Sequence, residues 1–255
     1  MDDFGRASRR KVERAEKHIG DLNALLVRMR DIPHHAVSVQ RDPEHRNWIT
    51  VHFDPSALRI EEAALIIGDA LHNLRSALDI LWHDVIRKCD GIPSNYTRFL
   101  IRDTRDELIT RLNYALEKKQ ISDFVHEFVL NTIKPYETGN YAIWALDDLN
   151  VRDKHQLIIP VLKWTFINGI RLQDDEGVIY DEPVLVADRS WKGMLPLDPF
   201  YRKNLTVKDQ GETFPTVLFD QGFPFQGKPI LPEIKNIAIV VTGTVKAFEL
   251  LFGKR

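Results

Sequence analysis

The spacing of apolar residues along the chain predicts that its first part is helical. Apolar side chains recur every three or four positions, as on one face of an α-helix, over Ala7–Arg30, Ile60–Lys88, Thr104–Lys119, Ile121–Ile133 and Tyr141–Val151. Pro33 and Pro135 end two of these segments, because a proline lacks the backbone N–H that continues a helix. The segment over Ile60–Lys88 is the longest of the five.

Short runs of β-branched and aromatic residues predict strands in two places. Alternation over Trp48–Phe53 and a partner segment at Ala36–Gln40 predict a small hairpin across a polar turn. From Leu157 onward, similar runs are separated by Gly, Pro and Asp turns. Helical spacing then returns over Ile234–Phe252 and predicts a closing helix.

Together these elements predict an α+β fold in one compact unit. Residues 1–156 form a mainly helical part with the hairpin, and residues 157–255 form a β-rich part closed by the last helix. The chain of 255 residues is 44% hydrophobic and 28% charged, which is typical of a folded globular protein and excludes a disordered or fibrous one.

Charge and cysteine content narrow the classes of function. With 35 Lys and Arg residues against 37 Asp and Glu residues, the net charge of −2 gives no overall attraction to nucleic acid or to an anionic membrane. A basic cluster around Lys11 opposes the dipole of the first helix and indicates a frayed end or a bound anionic partner. Cys89 is the single cysteine, so an intramolecular disulfide and a cysteine-based zinc cluster are excluded. The polar N-terminus and short apolar runs predict a cytoplasmic protein without a membrane span.

One face of the predicted helix over Ile60–Lys88 carries an unusual set of polar side chains. At about 100° per residue, one narrow sector holds Asp69, His72, Ser76, Asp79 and His83. Arg75 and Asn73 lie on the two shoulders of this sector, and we call these seven residues the polar stripe. Solvent-facing helix surfaces are usually filled with Lys and Glu, so this composition indicates the lining of a cavity. A solvated or partner-packed face is the alternative.

Acid–base cleavage of RNA is the first chemistry that the polar stripe fits. Arg75 would stabilise the phosphate charge, and His72 or His83 would transfer protons. The 2′-hydroxyl of the RNA would then attack the phosphate without a metal. Other side chains of the stripe would orient the imidazole or bind the substrate, namely Asn73, Ser76 and Asp79.

Two further functions fit the same residues. A metal-dependent hydrolase would use the pairs Asp69 with His72 and Asp79 with His83, which are three and four residues apart and point to one side of the helix. A non-catalytic interaction module would pair Arg75 with Asp79 and pack the stripe against a second copy of the chain in a homodimer.

A second polar cluster follows the fifth predicted helix, over Asn150–His155. Lys154 and His155 near a helix C-terminus are favoured by the helix dipole and can bond its last carbonyls. Alternatively, His155 and Asp153 complete a catalytic site beside the polar stripe, with Lys154 binding the substrate. The sequence leaves both interpretations open.

Two stretches resemble the signature of a family of uncharacterised bacterial and phage proteins. These are Gly68–Asp79, which reads GDALHNLRSALD, and Asn150–His155, which has the form Asn-x-x-Asp-Lys-His. Phe99-Leu-Ile and Lys134-Pro-Tyr match weaker landmarks of that family, so the resemblance covers roughly residues 10–165. It implies a bacterial or phage source but no mechanism, because the family has no assigned activity.

A looser resemblance points to the HEPN superfamily, whose helical members are often metal-independent ribonucleases. Their motif is an arginine, a polar residue, a short spacer and a histidine. Here Ser76 follows Arg75, but Ile80 stands where relatives carry the histidine, and the next histidine is His83. The resemblance implies RNA as the partner. We also expect no cofactor, because the sequence has neither a glycine-rich phosphate loop nor a His-Glu-x-x-His helix.

Overall fold

The computed structural model describes residues 4–29, 37–41, 48–53, 59–155, 161–187, 192–196, 206–209 and 211–253. Within these ranges the helices are α1 (Arg6–Arg28), α2 (Ile60–Lys88), α3 (Arg105–Glu117), α4 (Asp123–Phe128), α5 (Tyr141–His155) and α6 (Ile230–Gly253). The strands are β1 (Val37–Arg41), β2 (Trp48–Phe53), β3 (Val161–Gln173), β4 (Ile179–Ala187), β5 (Lys192–Pro196), β6 (Thr206–Asp209) and β7 (Glu212–Leu218). The predicted α+β class is confirmed. Pro33, Ala36 and the Leu157 end of a predicted strand lie outside the described residues.

Helices α1, α2 and α6 form the centre of the apolar core. Helix α1 packs along α2, and α6 packs against both. Leu25 of α1, Leu74 of α2, and Val241 and Phe248 of α6 are fully buried. Helices α1 and α6 cover apolar surface of α2, and Arg75 of the polar stripe faces α5 and the loop that follows α2.

Helix α6 is long and apolar enough to cross a membrane, by length and composition, and it is the one such helix in the part of the chain that the structure describes. Ile234 and Val245 are buried in the core, whereas Ile239 is 70% exposed. The helix begins at Ile230, one turn before the predicted start at Ile234. Pro232 is tolerated there because a first-turn N–H has no partner within the helix.

The predicted helical stretch over Ile121–Ile133 is confirmed from Asp123 to Ile133, but it is not a single regular α-helix. The structure instead has the short helix α4, followed by a π-helical turn over Val129–Ile133. Lys134 then adopts the left-handed conformation, with φ at 54°, and Pro135 follows. The wider turn lets the chain leave the helix without an apolar face being exposed, since Val129 and Ile133 stay buried.

Helix α5 continues to His155, one turn beyond its predicted end at Val151. In this extra turn, Arg152 Nε donates to Asp148 Oδ2 at 2.6 Å, an i,i+4 pair of the kind that stabilises a helix. The second polar cluster is therefore part of the helix, and Lys154 occupies a fixed position on its surface.

The described strands form one antiparallel sheet in the order β1-β2-β5-β4-β3, with β6 and β7 both on the remaining edge of β3. Strand β2 pairs with β5, so the N-terminal hairpin joins the sheet of the C-terminal strands. Between β6 and β7, Gly211 has φ at 67°, and a Cβ there would clash with the carbonyl of Asn168. Only glycine fits this break, because any side chain would meet that carbonyl and would be strained at this positive φ.

Candidate functional site

Helices α2 and α5 bring the two predicted motifs into contact. Gly68, at the start of the first motif, lies against Asp153 of the second. A Cβ at Gly68 would stand 2.5 Å from Asp153 Oδ2, so a glycine is what allows the two helices to approach this closely. Two turns further along α2, Arg75 reaches Asp147 of α5. The C-terminal end of α5 is thereby held beside the polar stripe.

Arg75 is the centre of a partly buried ion-pair cluster, which we define as Arg75, Asp79 and Asp147. Only 8% of Arg75 is exposed. Its Nε donates to Asp147 Oδ1 at 2.6 Å, and its Nη1 donates to Asp79 Oδ1. Its Nη2 donates to the carbonyl of Phe99 at 3.2 Å. The guanidinium therefore ties α5 and the loop after α2 to the middle of α2.

Asp79 holds the same loop through a second contact. Its Oδ1 accepts a hydrogen bond from the Phe99 amide at 2.8 Å, and its Oδ2 lies 3.8 Å from Arg98 Nε. With Arg75 bonded to it as well, this carboxylate is engaged on several sides. Among the described residues, Asp79 bonds no histidine. It therefore holds the loop in place rather than orienting an imidazole.

Five of the predicted site residues line one open groove of about 460 Å³, which we call the stripe groove. These five are His72, Ser76, Asp79, His83 and Lys154. The other lining residues are Lys11, Ile80, Arg87 and Arg98. Four of the seven residues of the polar stripe thus lie along one wall of a cavity, to which α1, the loop after α2 and the end of α5 also contribute.

The stripe groove is positively charged although the chain as a whole is slightly negative. Its cationic side chains come from Lys11, Arg87, Arg98 and Lys154. Asp79, the one carboxylate among its described lining residues, is already paired with Arg75. Arg87 also lies 3.3 Å from Asp84. An excess of positive charge in a concave surface attracts anions more strongly than the same charge spread over a flat one.

Arg98 and His83 meet at one backbone oxygen, the carbonyl of Thr97. Arg98 Nη1 donates to this oxygen at 2.9 Å, and His83 Nε2 lies 3.2 Å from it. Because a carbonyl only accepts, the second bond requires the His83 proton on Nε2. The Nδ1 of the neutral ring then carries a lone pair and is able to accept a proton. The loop places a guanidinium beside an imidazole whose tautomer is fixed.

His72 lies in a different part of the stripe groove from His83. The two histidines are eleven residues apart in α2, which corresponds to about 16 Å of helix. His72 is exposed, whereas His83 is half-buried. One phosphodiester cannot contact both imidazoles, so they do not form an acid–base pair on a single bond.

Asn73 and Asp69 flank the stripe groove. Asn73 Oδ1 accepts a hydrogen bond from Lys11 Nζ at 3.2 Å, and Asn73 Nδ2 donates to the Asp69 carbonyl at 2.8 Å. Asn73 therefore positions Lys11 of α1 at the edge of the groove. The Asp69 residue is exposed to solvent.

The residues predicted as metal ligands do not gather at one point. In the part of the chain that the structure describes, no three His, Cys, Asp or Glu side chains are close enough to share a metal ion. His155 belongs to the last turn of α5, but its side chain lies outside the described residues. Its neighbour Lys154 does line the stripe groove.

Sequence reasoning missed Arg98 and Asp147. Arg98 lies in an irregular loop, where no periodicity marks a residue, and its one signal is that it directly precedes the Phe99-Leu-Ile landmark. Asp147 is 72 residues from Arg75 in sequence. Asp147 directly follows the apolar first half of α5, Tyr141–Leu146. This position was a signal for a cationic partner, but it did not identify Arg75 as that partner.

Comparison of this chain with protein-family models, with curated proteins and with solved structures finds no match. The resemblances to the bacterial and phage family and to the HEPN superfamily therefore stay predictions. The stripe groove, with its excess positive charge and its histidine of fixed tautomer, is the strongest guide to function.

Proposed function

We propose that the stripe groove binds single-stranded RNA and cleaves it by metal-independent acid–base chemistry. The observation that carries this proposal is the meeting of Arg98 and His83 at the carbonyl of Thr97. A cation that stabilises phosphate charge and a neutral imidazole that accepts a proton are the two groups this reaction needs.

The charge of the groove supports a phosphate backbone as the ligand. Arg98 is exposed, with 59% of its side chain accessible, so its guanidinium is within reach of a phosphate. Lys11 and Lys154 extend the cationic surface along the groove toward His72. Contacts of this kind to phosphates provide affinity that is independent of base sequence and falls as salt rises.

The cleavage step uses His83 as the general base. Its Nδ1 takes the proton from a ribose 2′-hydroxyl, and the 2′-oxygen forms a bond to the adjacent phosphorus. The bond from phosphorus to the 5′-oxygen of the next nucleotide breaks, and that oxygen takes a proton from water. The hydroxide that is left takes back the proton held by His83 Nδ1, which restores the base. The products are a 2′,3′-cyclic phosphate and a 5′-hydroxyl. Arg98 stabilises the negative charge that develops on the phosphate oxygens.

Arg75 has a different role in this proposal from the one that the sequence predicts. Its guanidinium bonds Asp79, Asp147 and the Phe99 carbonyl, so it acts as a positioning residue that holds the loop carrying Arg98. His72 contacts the strand away from the scissile bond. RNA as the partner, the absence of a cofactor and a cytoplasmic location are parts of the same proposal.

A cleavage assay tests this function. A 5′-labelled single-stranded oligoribonucleotide is incubated with the protein in the presence of EDTA, and its ends are analysed. We expect 2′,3′-cyclic phosphate ends from the wild-type protein, and a loss of about 100-fold or more in rate for His83→Gln. Arg98→Gln should lose a similar factor. His126→Gln is the matched control, because His126 bonds Asn113 and does not line the groove.

Three outcomes would contradict the proposal. An RNA whose riboses are replaced by 2′-deoxyriboses must resist cleavage, and its cleavage would rule out attack by the 2′-hydroxyl. Activity that disappears with EDTA would favour the metal-dependent hydrolase. An inactive wild-type protein whose self-association is weakened by Arg98→Gln would favour the homodimeric interaction module.

A further inference from the structure

A second cavity, of about 470 Å³, lies on the other side of the loop that carries Arg98. We call it the arginine cavity, after its lining residues Arg75, Arg98, Arg102 and Arg111. Tyr96 and Tyr114 also line it. Its volume is in the range of sites that hold small molecules. Of the four arginines, only Arg98 also lines the stripe groove.

The arginine cavity has more positive charge than its surroundings neutralise. Arg75 is paired within the ion-pair cluster, but Arg102 and Arg111 form no ion pair with the described residues. Arg102 Nη1 donates to the carbonyl of its neighbour Ile101. Burial lowers the pKa of Arg102 from its ordinary value and the charge of Arg111 lowers it further, while the charges of Asp147 and Glu107 offset this only in part. The protein therefore holds a half-buried cation next to another cation at a free-energy cost.

An anion with several oxygens would remove this cost. A guanidinium presents a planar fork of N–H donors that matches a phosphate group. Arg102 and Arg111 both belong to the wall of one cavity, so a single phosphate is able to contact both.

The tyrosines indicate that the ligand also has an aromatic part. Tyr114 is 53% exposed and Tyr96 is 91% exposed, so both rings are accessible to a ligand. Tyr96 is held in an ordered turn, in which its amide donates to Ser94 Oγ at 3.3 Å. Lys118 lies 5.5 Å from the centre of the Tyr114 ring. Exposed tyrosines beside arginines are the composition that stacks on bases and contacts their phosphates.

We propose that the arginine cavity binds a nucleotide, with Arg102 and Arg111 on its phosphate and Tyr96 or Tyr114 stacked on its base. This site is separate from the stripe groove, and its existence does not depend on the cleavage reaction. The nucleotide has two possible sources, which are a free nucleoside monophosphate and a nucleotide within an RNA strand that continues past Arg98 from the stripe groove.

Calorimetric titration of the full-length protein with AMP tests the site. Adenosine and inorganic phosphate are titrated separately, and each should bind about tenfold more weakly than AMP, because each offers only half of the contacts. Arg111→Gln should weaken AMP binding by at least about tenfold. Arg105→Gln is the matched control, since Arg105 is exposed on the same helix and lines neither cavity.

The outcomes distinguish the two sources of the nucleotide, and they distinguish failure of this site from failure of the proposed cleavage. If the nucleotide belongs to an RNA strand, Arg111→Gln also weakens RNA binding and AMP competes with RNA. If it is a free nucleotide, RNA affinity is unchanged by Arg111→Gln. His83→Gln should leave AMP binding intact in both cases. No AMP binding at 1 mM ligand, or equal binding by Arg111→Gln and the wild type, would overturn the proposal.

Discussion

The ion-pair cluster and the stripe groove use the same face of α2 in opposite ways. In the cluster, Arg75 is surrounded by two carboxylates and a carbonyl, and its charge is fully used within the protein. In the groove, Arg98 bonds the backbone carbonyls of Asn95 and Thr97 and keeps most of its side chain in solvent. A polar helix face can therefore be divided into a part that holds the fold together and a part that is left for a ligand.

This difference shows that the most conspicuous arginine in the sequence is not the one best placed for an anion. Arg75 lies within the recognisable motif, but its neighbours compete with any phosphate for its N–H groups. Arg98 lies outside the motif. Its position is set by the hydrogen bonds that Arg75 and Asp79 make to the loop. Stability and ligand binding should consequently respond to different substitutions.

Arg75→Ala should give the largest loss of stability. Removing the guanidinium leaves Asp79 and Asp147 without their main partner in a partly buried site, which costs about 3 kcal/mol. Arg87→Ala, which breaks an exposed pair with Asp84, should cost less than about 1 kcal/mol. Urea unfolding measures both free energies. Equal small losses for the two variants would mean that the cluster is no more than a surface ion pair.

Gly68→Ala should give the next largest effect, because the new methyl group would collide with the carboxylate of Asp153 where α2 meets α5. Overpacking of this kind costs about 1–3 kcal/mol. Gly20→Ala in α1 has open space around the new methyl group and should instead stabilise by about 0.5–1 kcal/mol. Thermal and urea unfolding compare the two variants. A stabilising Gly68→Ala would contradict the close packing of the two motifs.

The sequence predicted the elements whose pattern is local. Helix α2 has the predicted bounds, Ile60–Lys88, since its apolar positions keep helical spacing over the whole length. The interruption after α4 was not predicted, because a π-helical turn changes the hydrogen bonding without changing which residues are apolar. Likewise, the pairing of β2 with β5 joins residues far apart in the chain, and alternation within a strand does not name its partner.

In the candidate site too, the residues that share a local pattern could be predicted, and those placed by tertiary packing could not. His72, Ser76 and His83 could be placed together because they share one helix face. Arg98 could not, because its position depends on the bonds of a loop to Asp79. Gly68 contacts Asp153 where α2 and α5 meet. This contact depends on how the two helices pack, which the sequence pattern of either helix does not specify.

The salt dependence of RNA binding tests the central claim, that Arg98 offers the stripe groove's charge to a phosphate while Arg75 does not. Affinity for a single-stranded oligoribonucleotide is measured over a range of salt concentrations for the wild type, Arg98→Gln and the control Arg105→Gln. We predict that log affinity falls with log salt for the wild type, and that Arg98→Gln makes the slope shallower by about 0.7, the value for one lost phosphate contact. Arg105→Gln should leave the slope unchanged. A wild-type affinity that does not depend on salt, or an unchanged slope in Arg98→Gln, would contradict the account.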